Sequence, residues 1–300
     1  MEIVTKKSSQ NVGGVQKSLS PWAVARRKFV KNKLAMVSLI FLLAVTIVSI
    51  IAPFVLTQDI TKVNIGQMSL SPSSEHFLGT DKSGRDVFTR LLYGGRVSLL
   101  VGITCTFFVI LFGTIIGSLA GYFGGAIDSV LMRFTDFILN FPFLVFVIVL
   151  SAILFGKLSG VWVIIIVISF LSWGGVARIV RSKILAEKEN EYVLASKSIG
   201  CSSSKIIIKH LLPNVLSTII VQASITFASM IVAEAGLSYL GFGIPQEVPS
   251  WGNMLSSSKE PDVLQYKPWI WAPPAIIITL TILSINFIGE GLKDALNPKN

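Results

Sequence analysis

Long apolar runs interrupt this chain, and they decide what it can become. A helix needs about 20 mostly apolar residues to cross about 30 Å of hydrocarbon, where every backbone N–H and C=O must find its partner inside the protein. Residues 34–56 meet that length, and 102–120, 137–155, 161–180, 215–231 and 274–288 are further candidate spans. Only 14% of the 300 residues are charged, against about 25% in a soluble domain. The expectation is an all-α polytopic membrane protein with six transmembrane helices, seated in the cell membrane.

The formal charge of +10 raises the question of a nucleic-acid ligand. No basic patch is interleaved with exposed aromatics in a soluble context, so no nucleic-acid partner is expected. Membrane topology accounts for the cations instead. The chain divides into a basic tail (1–33), a first helix (34–56), an outer loop (57–96), a membrane core (97–292) with an inner loop at 181–213, and a second tail (293–300). With both termini in the cytosol, the inner segments hold most of the Lys and Arg, as the positive-inside rule requires. The stretch "ARRKFVK", residues 25–31, resembles a twin-arginine export signal. The apolar run behind it is too long for a signal and no small-residue cleavage site follows, so it reads as the basic anchor of an uncleaved first helix.

The residues for several chemistries are missing or scattered. Cys105 and Cys201 lie in different environments and read as free thiols. His76 and His210 fall on opposite sides of the membrane, so no metal cluster or nucleophile–base pair is expected. Neither a phosphate loop, G-x-x-x-x-G-K-[ST], nor H-E-x-x-H occurs. Energy for uphill transport would therefore come from a partner or an ion gradient. An ion-coupled carrier should carry acids at mid-membrane or two similar halves with broken helices. Asp128, Asp136, Glu234 and Glu290 instead fall near expected helix ends, within reach of water, and Asp128 can pair with Arg133. Gly113, Gly117 and Gly121 share one helix face, which suits close packing of another helix, or is merely tolerated in a membrane helix. Trp251, Trp269 and Trp271 suit a membrane–water boundary.

The polar insert "EYVLASKSIGCSSSKIIIKHLLPN", residues 191–214, is the least expected part of so apolar a chain. Residues 179–199 read as one helix, with Lys183 and Glu187 paired at i,i+4. Gly200 ends it, Ser202, Ser203 and Ser204 offer caps for the next helix, and Pro213 should bend that helix at the membrane surface. Leu194, Ala195, Ser198 and Ile199 supply small and apolar contacts at helical spacing. The insert is either a docking element for a partner protein or a loop resting on lipid headgroups.

The insert resembles the cytosolic loop of ABC-importer permeases, EAA-x3-G-x9-I-x-L-P. The pattern falls on Leu194-Ala195-Ser196, Gly200, His210, Leu212 and Pro213, with Leu194 in place of Glu, Ser196 in place of Ala and His210 in place of Ile. "KHLLPN" is similar to the form in the peptide/nickel branch. "FLGTDKSGRDVFTRLLYGGRVSLLVG", "GYFGGAIDSVLMRFTDFILNFP" and "EAGLSYLGFGIPQEVPSWGNML" extend the resemblance over nearly all of residues 20–297, closest to the C-type permease of oligopeptide and dipeptide importers. The resemblance implies a type I ABC importer permease fold and a non-catalytic subunit. It implies a heterodimer with a second permease, two cytosolic ATPase subunits docked on the loops, an external substrate-binding protein, and ATP and Mg held by the ATPases, with no cofactor on this chain. Peptide is the implied cargo, and a nickel chelate is the alternative.

Overall fold

The computed structural model describes residues 21–56, 59–154 and 160–296, which are mostly helical, with a loop over 59–86 and no β-strand among them. The expected tail over residues 1–20, residues 297–300 and the end of the third expected span at residue 155 lie outside the described residues. A short helix α1, Pro21–Lys31, leads into the first span α2, Lys33–Val55. Between them Asn32 turns extended, and its Oδ1 accepts from Ala35 N at 3.1 Å, capping α2. The second span belongs to a much longer helix, α3, Val87–Phe123. It starts far ahead of residue 102 because Asp86 caps it, Oδ1 accepting from Thr89 N at 2.7 Å. At about 1.5 Å per residue its 37 residues are longer than a bilayer core is thick.

The third expected span is not one helix. The chain forms α4, Gly125–Asn140, and α5, Phe143–Leu154, bent by 87°. Pro142 is the cause: it has no N–H for a helix ladder, and it pushes Phe141 before it into extended backbone, φ −71° and ψ 135°. The central helix is α6, Gly160–Glu187, whose apolar stretch is two-thirds buried. Its Val167, Ile168, Val176, Val180 and Ile184 form the middle of the main core with Val101, Cys105 and Val109 of α3.

Beyond α6 come α7, Glu191–Ser198, and α8, Ser203–Ile206, then a π turn, Ile207–Leu211, and α9, Leu212–Leu240. No break occurs at Pro213, where a bend was expected. The π turn, with Leu212 N–H reaching back to Ile207 O, widens the helix just ahead of Pro213 and makes room for its ring inside a helix that continues on both sides. The apolar stretch therefore runs on from Ser203 to Leu240. Two short helices, α10, Trp251–Leu255, and α11, Pro261–Tyr266, precede the last span α12, Pro268–Leu296.

Candidate functional site

The two ends of α9 carry the polar architecture of the protein. At the Leu212 end the insert folds as an elbow. Residues 179–199 do not form the single helix expected: α6 stops at Glu187, and Asn190, extended at φ −69° and ψ 146°, starts α7. The side chains settle the break, since Glu187 Oε2 accepts from Asn190 Nδ2 at 2.7 Å and from the Tyr192 hydroxyl at 2.9 Å. Glu187 is thus engaged across the turn rather than committed to Lys183. Asn214 Nδ2 donates to the Tyr192 hydroxyl at 2.7 Å and to His210 O at 2.9 Å, which ties α7 to the first turn of α9. Burial, then the Glu187 carboxylate, raise the Tyr192 phenol above its ordinary value. Sequence reasoning missed this staple, because nothing in the spacing of residues 187, 190, 192 and 214 marks them as neighbours.

The far side of α7 closes on glycine. Gly200 stands at φ +79°, its N–H donates to Lys197 O at 3.0 Å, and Cys201 N–H donates to Ser196 O at 3.1 Å. That pair of bonds is a Schellman motif, which satisfies the last carbonyls of the helix and reverses the chain. Val193 and Ser196 face inward and are buried, the Ser196 hydroxyl donating to Tyr192 O at 2.8 Å. Leu194, Ala195, Ser198 and Ile199 face out, Ile199 at 79% exposure. His210 and Leu212 are half-buried and Pro213 is exposed. Ser202 takes the cap position of α8 without a side-chain capping bond. Lys197 Nζ lies 5.3 Å from the centre of the Tyr122 ring, seating α7 on the end of α3.

That seat depends on how α3 meets α6. Gly113, Gly117 and Gly121 are buried against α6. A Cβ on Gly117 would come within 2.5 Å of Ala177 O, and one on Gly113 within 2.6 Å of Val176 Cβ. The acids of α4 also turn to α6. Asp128 does not pair with Arg133: it receives Arg181 through Nε and Nη2, each at 2.5 Å, and Asp136 receives Arg178. Five residues apart on one helix, Asp128 and Arg133 point in different directions. Between α3 and the start of α9 lies an open apolar hollow of about 580 Å³, lined by Phe107, Ile110, Leu111, Leu212, Pro213 and Leu216 among others.

The opposite end of α9 is capped by loops. Glu234 was expected near water but is fully buried. Its Oε2 accepts from Ser98 Oγ at 2.9 Å and its Oε1 from Ser238 Oγ at 2.8 Å. Trp251 was expected at the membrane boundary. It is 1% exposed, with Nε1 donating to Leu91 O at 3.0 Å, because the loop carrying it folds back between α3 and α9. Trp269 and Trp271 lie in the first turn of α12. Arg90, 2% exposed, ties the loops at this end together by donating to Ile60 O at 2.9 Å and Gln246 O at 3.2 Å. His76 faces the Asp86 cap at 3.0 Å, far along the chain and the fold from His210. Glu290 is exposed, Cys105 is buried and Cys201 half-buried, both cysteines free.

A bundle of membrane-length helices with a rigid elbow at one end and a hydrogen-bonded cap at the other defines a permease core. Comparison with known proteins names its family. The family model described as binding-protein-dependent transport system inner membrane component matches residues 113–300, and that described as the N-terminal TM domain of oligopeptide transport permease C matches residues 20–72. The chain belongs to this family of binding-protein-dependent inner-membrane transport components. It is 41% identical to the dipeptide transport system permease protein DppC of Bacillus subtilis over 298 residues, 99% of this chain and 92% of that one. It is 41% identical to the oligopeptide transport system permease protein OppC of Haemophilus influenzae, covering 94% of this chain and 89% of the relative. Among solved structures, an inward-facing MetNI methionine ABC transporter matches with a TM-score of 0.58 at 19% identity, over 69% of this chain and 96% of that one, which shows a shared fold.

Proposed function

We propose that this chain is one of two permease subunits of an ATP-driven importer for dipeptides or oligopeptides, and that the elbow is where a cytosolic ATPase subunit docks. A second, related permease completes the passage through the lipid, an external binding protein delivers cargo to the capped end, and the two ATPases hold ATP and Mg. Both termini then lie in the cytosol. The cargo class follows the names of the relatives. The observation that carries the docking reading is the exposed row Leu194, Ala195, Ser198 and Ile199, held rigid by the Gly200 turn on one side and the Tyr192 staple on the other. Apolar side chains that a fold pins outward in a polar insert, rather than burying, are suited to a groove on a partner. A push on this row passes directly into α9, which the Tyr192–Asn214 bond joins to α7.

The test is co-purification in detergent. Gly200→Trp places a bulky side chain at the tip of the elbow in a backbone conformation that glycine alone adopts freely. The variant should insert into the membrane in normal amount but recover no ATPase subunits, and uptake should cease. Unchanged recovery of the ATPases with uptake intact would rule the elbow out as their seat. Labelling that places Ala195 outside the cell would do so as well.

A further inference from the structure

Glu234 plays no part in the transport reading, yet its burial demands a reason. A fully buried carboxyl is costly to keep, and this one has no ion-pair partner among the described residues. Its carboxyl oxygens accept from the hydroxyls of Ser98 and Ser238, each of which is engaged twice, and the Ser250 hydroxyl lies beside them. Ser98 Oγ donates to Glu234 and accepts from the Trp251 backbone N–H at 3.1 Å. Ser238 Oγ donates to Glu234 and accepts from the Ile244 backbone N–H at 3.1 Å. One carboxyl therefore anchors, through two serine relays, the connection between α9 and α10 at two separate points. One relay starts on α3 and the other on α9.

The surrounding packing also holds this connection close. Gly243 passes over Ser238 so closely that a Cβ would meet Ser238 Oγ at 2.2 Å, and a Cβ on Gly252 would meet Ala235 Cα at 2.6 Å. Ser250 and Asn253 then close a capping box on α10, with bonds of 3.0 and 3.1 Å. The helix that carries Glu234 is the one that begins at the elbow. At about 1.5 Å per residue, Pro213 and Glu234 stand about 32 Å apart on it.

We propose that Glu234 is a positioning residue for transport: through Ser98 and Ser238 it clamps the connection between α9 and α10 onto α3 and α9, so that motion begun at the elbow arrives at the outer cap as movement of one body. A carboxyl can accept from both serines at once, which fixes both hydroxyl protons toward it and leaves both serine oxygens free to take a backbone N–H. A glutamine cannot. Its amide nitrogen donates, so one serine must accept from it and send its own proton elsewhere, which turns that hydroxyl and weakens the bond it takes from the backbone N–H.

The experiment uses the full chain assembled with its partner subunits in lipid nanodiscs and reads amide hydrogen exchange. Ser98→Ala should speed exchange at Trp251 by about five- to tenfold, the effect of losing one ordinary hydrogen bond, and leave Ile244 unchanged. Ser238→Ala should do the reverse, and Glu234→Gln should loosen at least one of the two sites. The transport part rests on the function proposed above: Glu234→Gln should retain its ATPase subunits while cargo uptake per ATP hydrolysed falls several-fold. Unchanged exchange at both sites, a uniform increase over the whole cap, or full coupling in Glu234→Gln overturns the proposal. If Glu234→Gln does not assemble, the serine variants decide through their separate exchange sites. Failure of the wild-type chain to retain ATPases would count against the proposed function, and the exchange pattern would still judge the clamp.

Discussion

Two glycines do opposite work. Gly200 stands at φ +79° with nothing within 4 Å of where a Cβ would be, so the demand there is conformational. Asparagine, which visits the left-handed region more readily than other residues, should keep the elbow, and Gly200→Asn is expected to retain ATPase recovery where Gly200→Val loses it. Gly117 has ordinary helical backbone, and the demand is space, with Ala177 O 2.5 Å from a would-be Cβ. Gly117→Leu must force α3 away from α6. A cost of about 1–3 kcal/mol is the usual result of overpacking, and a lowered unfolding temperature in detergent, against an unchanged value for an exposed control on the same helix such as Ile115→Leu, would register it. The sequence marked both positions, but only the backbone angle and the neighbouring helix separate their roles.

At the scale of elements, the third span and the elbow depart most from what periodicity suggests. Hydropathy averages over the Pro142 break, so a window reads one span where the chain makes an 87° corner. The corner is held from α6, by the Arg181 fork on Asp128 and by Arg178 on Asp136. Arg181→Glu should weaken the seating of α4, and the exchanged pair Asp128→Arg with Arg181→Glu should recover part of it. A double-mutant cycle on thermal stability in detergent measures that coupling. The elbow has a pH limit of its own. Its fold holds the neutral Tyr192 phenol, whose pKa is raised by burial and by Glu187. A raised folded value means that this contribution is complete below the ordinary phenol value near ~10 and is lost as pH climbs through the folded one. Limited proteolysis of residues 187–200 between neutral and strongly alkaline pH should therefore show a loosening in wild type that Tyr192→Phe does not share. Equal pH profiles for the two proteins would show that Tyr192 ionisation does not govern the elbow.

At the scale of the whole molecule, α9 joins two unlike ends. One end is an exposed, stapled elbow, and the other is a cap whose polar groups, Arg90, Glu234, Ser98 and Asn253, are all buried. An energy-coupled passage needs such a polarity of construction: one end accessible to a driver, the other able to open or close as a unit. Reconstituted alone, the chain should carry no cargo uphill, and uphill uptake should appear only with the second permease, the ATPases and the binding protein present. Accumulation by this polypeptide alone, driven by an ion gradient, would return it to the class of secondary carriers.

By itself the sequence determined the membrane class, the all-helical fold and the family, because apolar run length and separated motifs such as "HFLGTD" and "KHLLPN" are properties of the chain in one dimension. It also located the elbow, since glycine, serine and proline punctuate helices wherever they occur. Tertiary structure alone decided the partners of the polar side chains. Asp128 found Arg181 rather than Arg133, Tyr192 found Asn214, Trp251 turned inward, and Glu234 went dry beneath two serines 136 and 4 residues away in sequence. Local propensity follows from neighbours along the chain, but where a buried hydrogen bond ends depends on which helices the packing brings side by side.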